Sequence, residues 1–308
     1  MSNAVHEAWM MMKSLLGMVL LAVLAGCKAV PRQVLPYVMD DGAGGADLHL
    51  YDLEGGQSSV LRQSQGEIEY DPCIDSTGSK VVFVVKASGE DEAPIFSLMM
   101  RDLDVGTDRK LDASPNAIFC PVWSNDGTRI AYVVERDGKL QIDVIKLDSD
   151  AKPRTIAFGF DPSWRVDDRA IFYSSRDTFD ASVGNLRVYQ LKTGVSQSLA
   201  LRGNGFTNLA GGTSIAYTTL PYGRRNAAVW LIDANSKQRR LSSPSKAYID
   251  TDPIHISGTK FVAFTRTDVM TNASSIYVVE RYAKDPVETQ LFEADANTYT
   301  QGSPHLPR

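Results

Sequence analysis

Residues 120–134 read Cys120-Pro121-Val122-Trp123-Ser124-Asn125-Asp126-Gly127-Thr128-Arg129-Ile130-Ala131-Tyr132-Val133-Val134. A proline is followed by an Asp-Gly turn signal, where glycine tolerates positive φ. A run of β-branched and aromatic residues comes next, the composition of a strand. The same order recurs. Asp71-Pro72-Cys73-Ile74, Asp161-Pro162-Ser163-Trp164 and Asp252-Pro253-Ile254-His255 align with Cys120-Pro121-Val122-Trp123. Nine residues beyond each proline stands Val81, Ile130, Ile171 or Val262, and eleven beyond stands Phe83, Tyr132, Tyr173 or Phe264. A degenerate fifth copy has Phe206 in place of the proline, with Ile215 and Tyr217 at the same offsets.

Working outward from the prolines gives the rest of each repeat. The first apolar runs are Lys80–Lys86, Arg129–Val134, Ala170–Ser174 and Phe261–Thr265. Second strands follow at Ile95–Arg101, Gln141–Leu147, Leu186–Leu191, Ala228–Asp233 and Ser275–Glu280. A short third run ends near Leu111, Ile156, Leu199, Leu241 and Leu291. Helical spacing of apolar residues is missing throughout the chain that follows the N-terminal apolar segment. Each repeat, 41–51 residues from the next, therefore reads as a four-stranded antiparallel unit. One such sheet cannot bury both of its faces. Packing several radially about an axis does so and protects the edges. At the start, Val34–Met39, Asp47–Leu53 and Ser59–Leu61 supply strands with no proline segment; at the end, Ser303-Pro304-His305-Leu306 supplies a proline segment with no strands. The expected fold is an all-β, six-bladed β-propeller over 34–308, its ring closed by pairing of the N- and C-terminal segments.

Pro121-Val122-Trp123-Ser124-Asn125-Asp126-Gly127-Thr128-Arg129-Ile130-Ala131-Tyr132 resembles the repeat of the TolB-type propellers, roughly P-x-W-S-P-D-G-x-x-I-A-F. Arg136-Asp137-Gly138 is similar to that family's turn before its second strand, and Arg176-Asp177 is a partial second copy. The resemblance extends over 34–308 at the level of the repeat and is close only around Pro121. It implies a periplasmic protein that meets envelope partners, in a Tol–Pal-like setting. The chain departs from that family in two expected respects: no α/β domain precedes the repeats, and it carries an anchor of its own.

The anchor is read at the N-terminus. Residues 14–25, SLLGMVLLAVLA, form an apolar stretch too short to cross a bilayer as a helix and suited to a signal peptide. Lys13 supplies the positive flank, and Met10, Met11 and Met12 are alternative starts to Met1. Leu24-Ala25-Gly26-Cys27 resembles the bacterial lipobox. That likeness implies cleavage of 1–26, lipidation of the Cys27 thiol including palmitate-type acyl chains, and a tether over 27–33. More than one acyl chain satisfies the two-signal requirement for stable anchoring. Lys28 in place of aspartate points to the outer membrane of a Gram-negative bacterium.

Composition narrows the function classes. The net charge of −5 opposes nucleic acid as a partner. Removal of 1–26 takes away Glu7 and Lys13 and leaves that charge unchanged. Of three cysteines only Cys73 and Cys120 remain for redox chemistry, open to a disulfide or to burial as small apolar groups. His49, His255 and His305 lack metal-site spacing, so no metal and no resident cofactor are expected. No G-x-S-x-G, Walker A, dinucleotide or C-x-x-C motif occurs, and no catalytic residue is assigned.

The candidate binding residues are the aspartates before the repeat prolines, Asp71, Asp161 and Asp252, joined by Glu69 and Asp250 two residues earlier in their repeats. Equivalent positions of a propeller form a ring. An acidic collar at one channel mouth would accept Ca²⁺ or a basic peptide; the alternative is that each carboxylate bonds nearby backbone N–H groups. Trp123 and Trp164 share one repeat position and are expected to pack. Tyr222-Gly223-Arg224-Arg225 is a second contact candidate. The leading expectation is a lipid-anchored interaction module with an envelope protein partner. The other is a propeller that binds or cleaves carbohydrate.

Overall fold

The computed structural model describes residues 32–42, 45–63, 66–88, 93–148, 152–175, 184–208, 214–219, 227–233, 235–256, 259–292 and 298–300. Residues 1–31, Cys27 among them, lie outside these, as do Tyr222, Arg224, Arg225 and His305. Among the described residues every regular element is a strand, and no helix is long and apolar enough to cross a membrane.

The strands fall into four hydrogen-bonded sheets. The first contains β1 (Val34–Asp40), β2 (Ala46–Asp52), β3 (Gln57–Arg62), β4 (Ile68–Ile74), β5 (Lys80–Ser88), β6 (Pro94–Asp102) and β7 (Thr107–Ser114). The second is β8 (Ile118–Trp123), β9 (Arg129–Arg136), β10 (Lys139–Lys146) and β11 (Arg154–Phe158). The third runs through β12 (Phe160–Trp164), β13 (Ala170–Ser174), β14 (Gly184–Gln190), β15 (Val195–Asn208), β16 (Ser214–Thr219), β17 (Ala228–Asp233) and β18 (Gln238–Arg240). The fourth is β19 (Tyr248–His255), β20 (Phe261–Asp268), β21 (Ser274–Glu280) and β22 (Glu288–Gln290). A final strand, β23 (Thr298–Tyr299), joins the first sheet on the free side of β1.

The repeat predicted six separate sheets, and two local features reduce the number to four. A single parallel bridge, Ala46 to Ile68, links β2 to β4. The 14-residue β15 pairs with β14 through 195–203 and with β16 through 204–208, so one strand serves two sheets. The expected closing segment Ser303–Leu306 lies outside the described residues. Instead β23 pairs with β1 through Val38–Tyr299 and Met39–Thr298. Thr300 fixes this segment to the fourth sheet: its N–H donates to Thr265 Oγ1 and its hydroxyl donates to the Asp252 carbonyl, each at 2.9 Å.

The repeat positions form the core. Val81, Ile130, Ile171 and Val262 are fully buried, and so are Phe83, Tyr132, Tyr217 and Phe264. Each such side chain contributes about 1.5–3 kcal/mol relative to exposure. Tyrosine serves at the deeper position because its ring lies in the core while its hydroxyl reaches a polar side chain of the outer strand. Tyr132 donates to Asp112 at 2.6 Å and Tyr217 to Gln238 at 2.9 Å. Burial pushes the Tyr217 hydroxyl up to about 12, so it remains a donor.

The proline segments are themselves strands, each broken by a bulge. Register shifts fall between Tyr70 and Cys73, Phe119 and Val122, Phe160 and Ser163, Asn204 and Thr207, and Thr251 and Ile254. Proline lacks the donor that a regular ladder needs and is accepted in a strand at such a bulge. The residue before it turns left-handed at all four proline sites: φ is 51° at Asp71, 47° at Cys120, 51° at Asp161 and 51° at Asp252. Aspartate accepts that conformation more readily than most side chains.

Two histidines make the folded state sensitive to acid. Burial, opposed by Asp47, holds His49 below its ordinary 6.5. Burial also lowers His255, with the Thr259 carbonyl opposing and Arg281 adding to the shift. The unfolded chain protonates these groups first, so the stability present above pH 6.5 is lost as pH falls below it. The thermal midpoint is expected to fall between about pH 7.5 and about pH 5.5. His49→Gln with His255→Gln should remove part of that fall; an equal slope in the variant would contradict the assignment.

Candidate functional site

The five acidic candidates sit on β4, β12 and β19, and their carboxylates are engaged within the protein. Asp71 is buried, and its Oδ2 accepts the backbone N–H of Cys120 at 2.7 Å, from the equivalent position of the next repeat. Cys120 continues the line: its Sγ–H donates to Asp161 Oδ1 at 3.7 Å. Asp252 is half-buried and accepts from the Thr251 hydroxyl at 2.9 Å. The indoles run parallel to this chain of contacts. Trp123 Nε1 donates to the Cys73 carbonyl at 3.1 Å, and Trp164 Nε1 donates to the Val122 carbonyl at 3.2 Å. Tyr70 donates to the Ile118 carbonyl at 2.6 Å.

Glu69 and Asp250 are fully buried, and each meets an arginine that sequence reasoning passed over. Arg62 from β3 is paired with Glu69 and, at 2.8 Å, with Glu67; Glu69 also accepts the Leu48 N–H at 3.1 Å. Arg266 from β20 grips Asp250 with two parallel hydrogen bonds of 2.6 and 2.7 Å and reaches Glu288 at 2.7 Å. Burial raises the Asp250 carboxyl above its ordinary value against the pull of Arg266. The guanidinium is raised in turn by Asp250 and Glu288, against its own desolvation. The only sequence signal for these pairs was two carboxylates at one repeat position. Their partners stand at unrelated spacings.

Cys73 and Cys120 are free thiols. Burial pushes the Cys73 thiol up to about 11, which leaves it protonated and unreactive at neutral pH. Among the described residues no group of three or more His, Cys, Asp and Glu is arranged to hold a metal ion. Polar groups of β4, β8 and β12 thus tie these three successive repeats to one another.

No family model matches the chain. A stretch of 66 residues is 35% identical to the Tol-Pal system protein TolB of Marinomonas sp. (strain MWYL1), covering 21% of this chain and 15% of that protein. The match thus spans under a sixth of the curated relative's length. The crystal structure of TolB from Acinetobacter baumannii superposes with a TM-score of 0.71 at 17% identity, covering 90% of this chain and 68% of that one. A TolB-type structure from Agrobacterium tumefaciens gives 0.64 at 15% identity, covering 86% and 96%. An oligogalacturonate lyase from Vibrio parahaemolyticus gives 0.52 at 13% identity, covering 75% and 71%. These likenesses establish the fold: the chain is an all-β propeller of antiparallel sheets. Within that class its backbone is TolB-like.

Removing one partner of the buried Asp250–Arg266 pair leaves an uncompensated charge, a change that costs about 3–5 kcal/mol in a buried pair. Asp250→Ala is therefore expected to lower the denaturation midpoint strongly. Asp250→Leu combined with Arg266→Met should recover much of the loss. A double variant no more stable than Asp250→Ala would refute this account of the pair.

Proposed function

We propose that this chain is a periplasmic envelope protein, held to a membrane by lipid on Cys27, whose propeller binds a protein partner and performs no catalysis. The observation that carries this reading is the backbone agreement with TolB structures over most of the chain, alongside the short TolB-like stretch. A Tol–Pal-like role in envelope maintenance follows from it as part of the proposal. The lipid anchor and the outer-membrane address rest on Leu24-Ala25-Gly26-Cys27 and Lys28.

The proposal includes a six-bladed ring. Divided at the Ala46–Ile68 bridge and within β15, the four sheets yield six four-stranded units, the first of them β23, β1, β2 and β3. The pairing of β23 with β1 is the support for closure. In this reading the inner strands frame a channel mouth, and the partner docks there. Asp71, Asp161, Glu69 and Asp250 act by holding the mouth in shape, whereas the half-buried Asp252 has the greater access. The likeness to oligogalacturonate lyase is the specific reason to keep a carbohydrate ligand as the competing reading.

Crosslinking in intact cells, followed by purification of the lipoprotein and mass spectrometry, tests the proposal. Cys27→Ala serves as the unanchored control. Tol–Pal or other envelope proteins should be recovered with the wild type and reduced for Asp252→Asn, with an unchanged thermal midpoint showing that the variant is folded. Recovery of envelope glycan with no specific protein would overturn the protein-partner reading.

A further inference from the structure

The chain enters the propeller at one particular rim. Arg32 N–H donates to the Thr77 carbonyl at 3.4 Å, in the turn between β4 and β5, and its guanidinium pairs with Asp104 at 2.7 Å, in the turn between β6 and β7. The contact is close: a Cβ added to Gly78 in the first of these turns would lie 2.8 Å from Arg32 Cβ. Equivalent turns continue along the same rim. The Ser76 hydroxyl donates to the Asn125 carbonyl at 3.0 Å, in the turn between β8 and β9. Asn125 N–H and Nδ2 both donate to Asp168 Oδ1 at 2.8 Å, in the turn between β12 and β13. Hydrogen bonds thus connect the entry point to the Asp168 turn.

Beside that last turn lies a groove of about 990 Å³ with four cationic side chains, Arg129, Arg165, Arg169 and Lys192, against one carboxylate, Asp168. Asp168 is occupied by the Asn125 and Asp126 N–H groups. Arg129 and Arg165 pair with Asp126 and Asp167. Arg169 and Lys192 are exposed; Asp167, already paired with Arg165, also draws on the charge of Arg169, and among the described residues no carboxylate lies within ion-pair distance of Lys192. The half-exposed Val195 lines the same groove and gives it an apolar side. On a chain of net charge −5, this is a local surplus of positive charge.

We propose that this groove binds the phosphate headgroups of anionic lipids in the membrane that holds Cys27, with Arg169 and Lys192 as the contacting cations. The inference rests on the lipid-anchor reading for the source of the phosphate. Cys27 lies five residues before Arg32, a reach of at most about 18 Å. The rim that receives Arg32 is thereby confined near the bilayer, and a groove on that rim meets headgroups before any other anion. The opposite rim is left facing the periplasm for a partner.

The full chain carrying Cys27→Ala, mixed with vesicles of phosphatidylcholine alone or with about 30 mol % phosphatidylglycerol, separates groove from anchor. Sedimentation should show binding about tenfold or more stronger with phosphatidylglycerol, suppressed near 0.5 M salt. Arg169→Glu with Lys192→Glu should abolish that difference at an unchanged thermal midpoint. Absence of a phosphatidylglycerol effect, or an effect that survives the double substitution, would overturn the proposal. So would equal binding of a polyglutamate peptide through the same two residues with no response to the lipid, which would assign the groove to an acidic protein segment. Palmitate labelling of wild-type cells reads the anchor separately: unlabelled protein with intact phosphatidylglycerol binding sinks the anchor alone, and labelled protein without that binding sinks the groove alone.

Discussion

The bond from the Cys120 N–H to the Asp71 carboxylate, across 49 residues of sequence, is the constraint on which the rest of the propeller depends. A bulged strand with a left-handed residue before proline is costly on its own, about 1–2 kcal/mol for a residue with a Cβ. The bulge also takes backbone groups out of their own ladder. The protein compensates by directing those groups to the next repeat: Asp71 to Cys120, Cys120 to Asp161, and the two indoles to carbonyls one repeat back. Local strain is thus exchanged for contacts between repeats. A four-stranded sheet that cannot bury both faces is held against its neighbour by directed bonds as well as by its apolar side chains.

The same exchange bears on function. Residues that suggest chemistry in isolation, namely buried carboxylates, thiols and tyrosines, are committed to structure here. Glu69 and Asp250 neutralise arginines, the Cys73 thiol is held protonated by burial, and the tyrosine hydroxyls reach outer-strand partners. Such a framework suits the proposed role of a rigid support that presents rims and a channel mouth to other molecules. The proposed division of labour between the rims draws on one contact, the seating of Arg32 over the Gly78 turn.

Much of the fold was legible because the repeat writes it several times. The strands Ala170–Ser174 and Ala228–Asp233 agree with their expected bounds, most others differ by a few residues at their ends, and the short run expected to end near Leu199 continues instead as β15 to Asn208. β-branched and aromatic side chains at fixed offsets from a proline mark the buried face of a strand wherever it lies in the chain. The joining of sheets was not legible: the Ala46–Ile68 bridge is a single backbone contact, and the sharing of β15 depends on where a long strand bends. The acidic positions were visible as a set, but their partners were not. Asp71 meets a backbone N–H, which no side-chain pattern records, and Arg62 and Arg266 lie on different strands of their units. The groove cations, spread from Arg129 to Lys192, come together only through the turns of adjacent repeats.

Hydrogen exchange of the backbone amides in the wild type and in Asp71→Asn tests the central claim most directly. If contacts between repeats hold the propeller as one unit, the Cys120 amide exchanges only with global opening in the wild type. In the variant, protection should fall together across β4, β8 and β12. Loss confined to the Cys120 amide, with its neighbours unchanged, would contradict the account and make each repeat stable by itself.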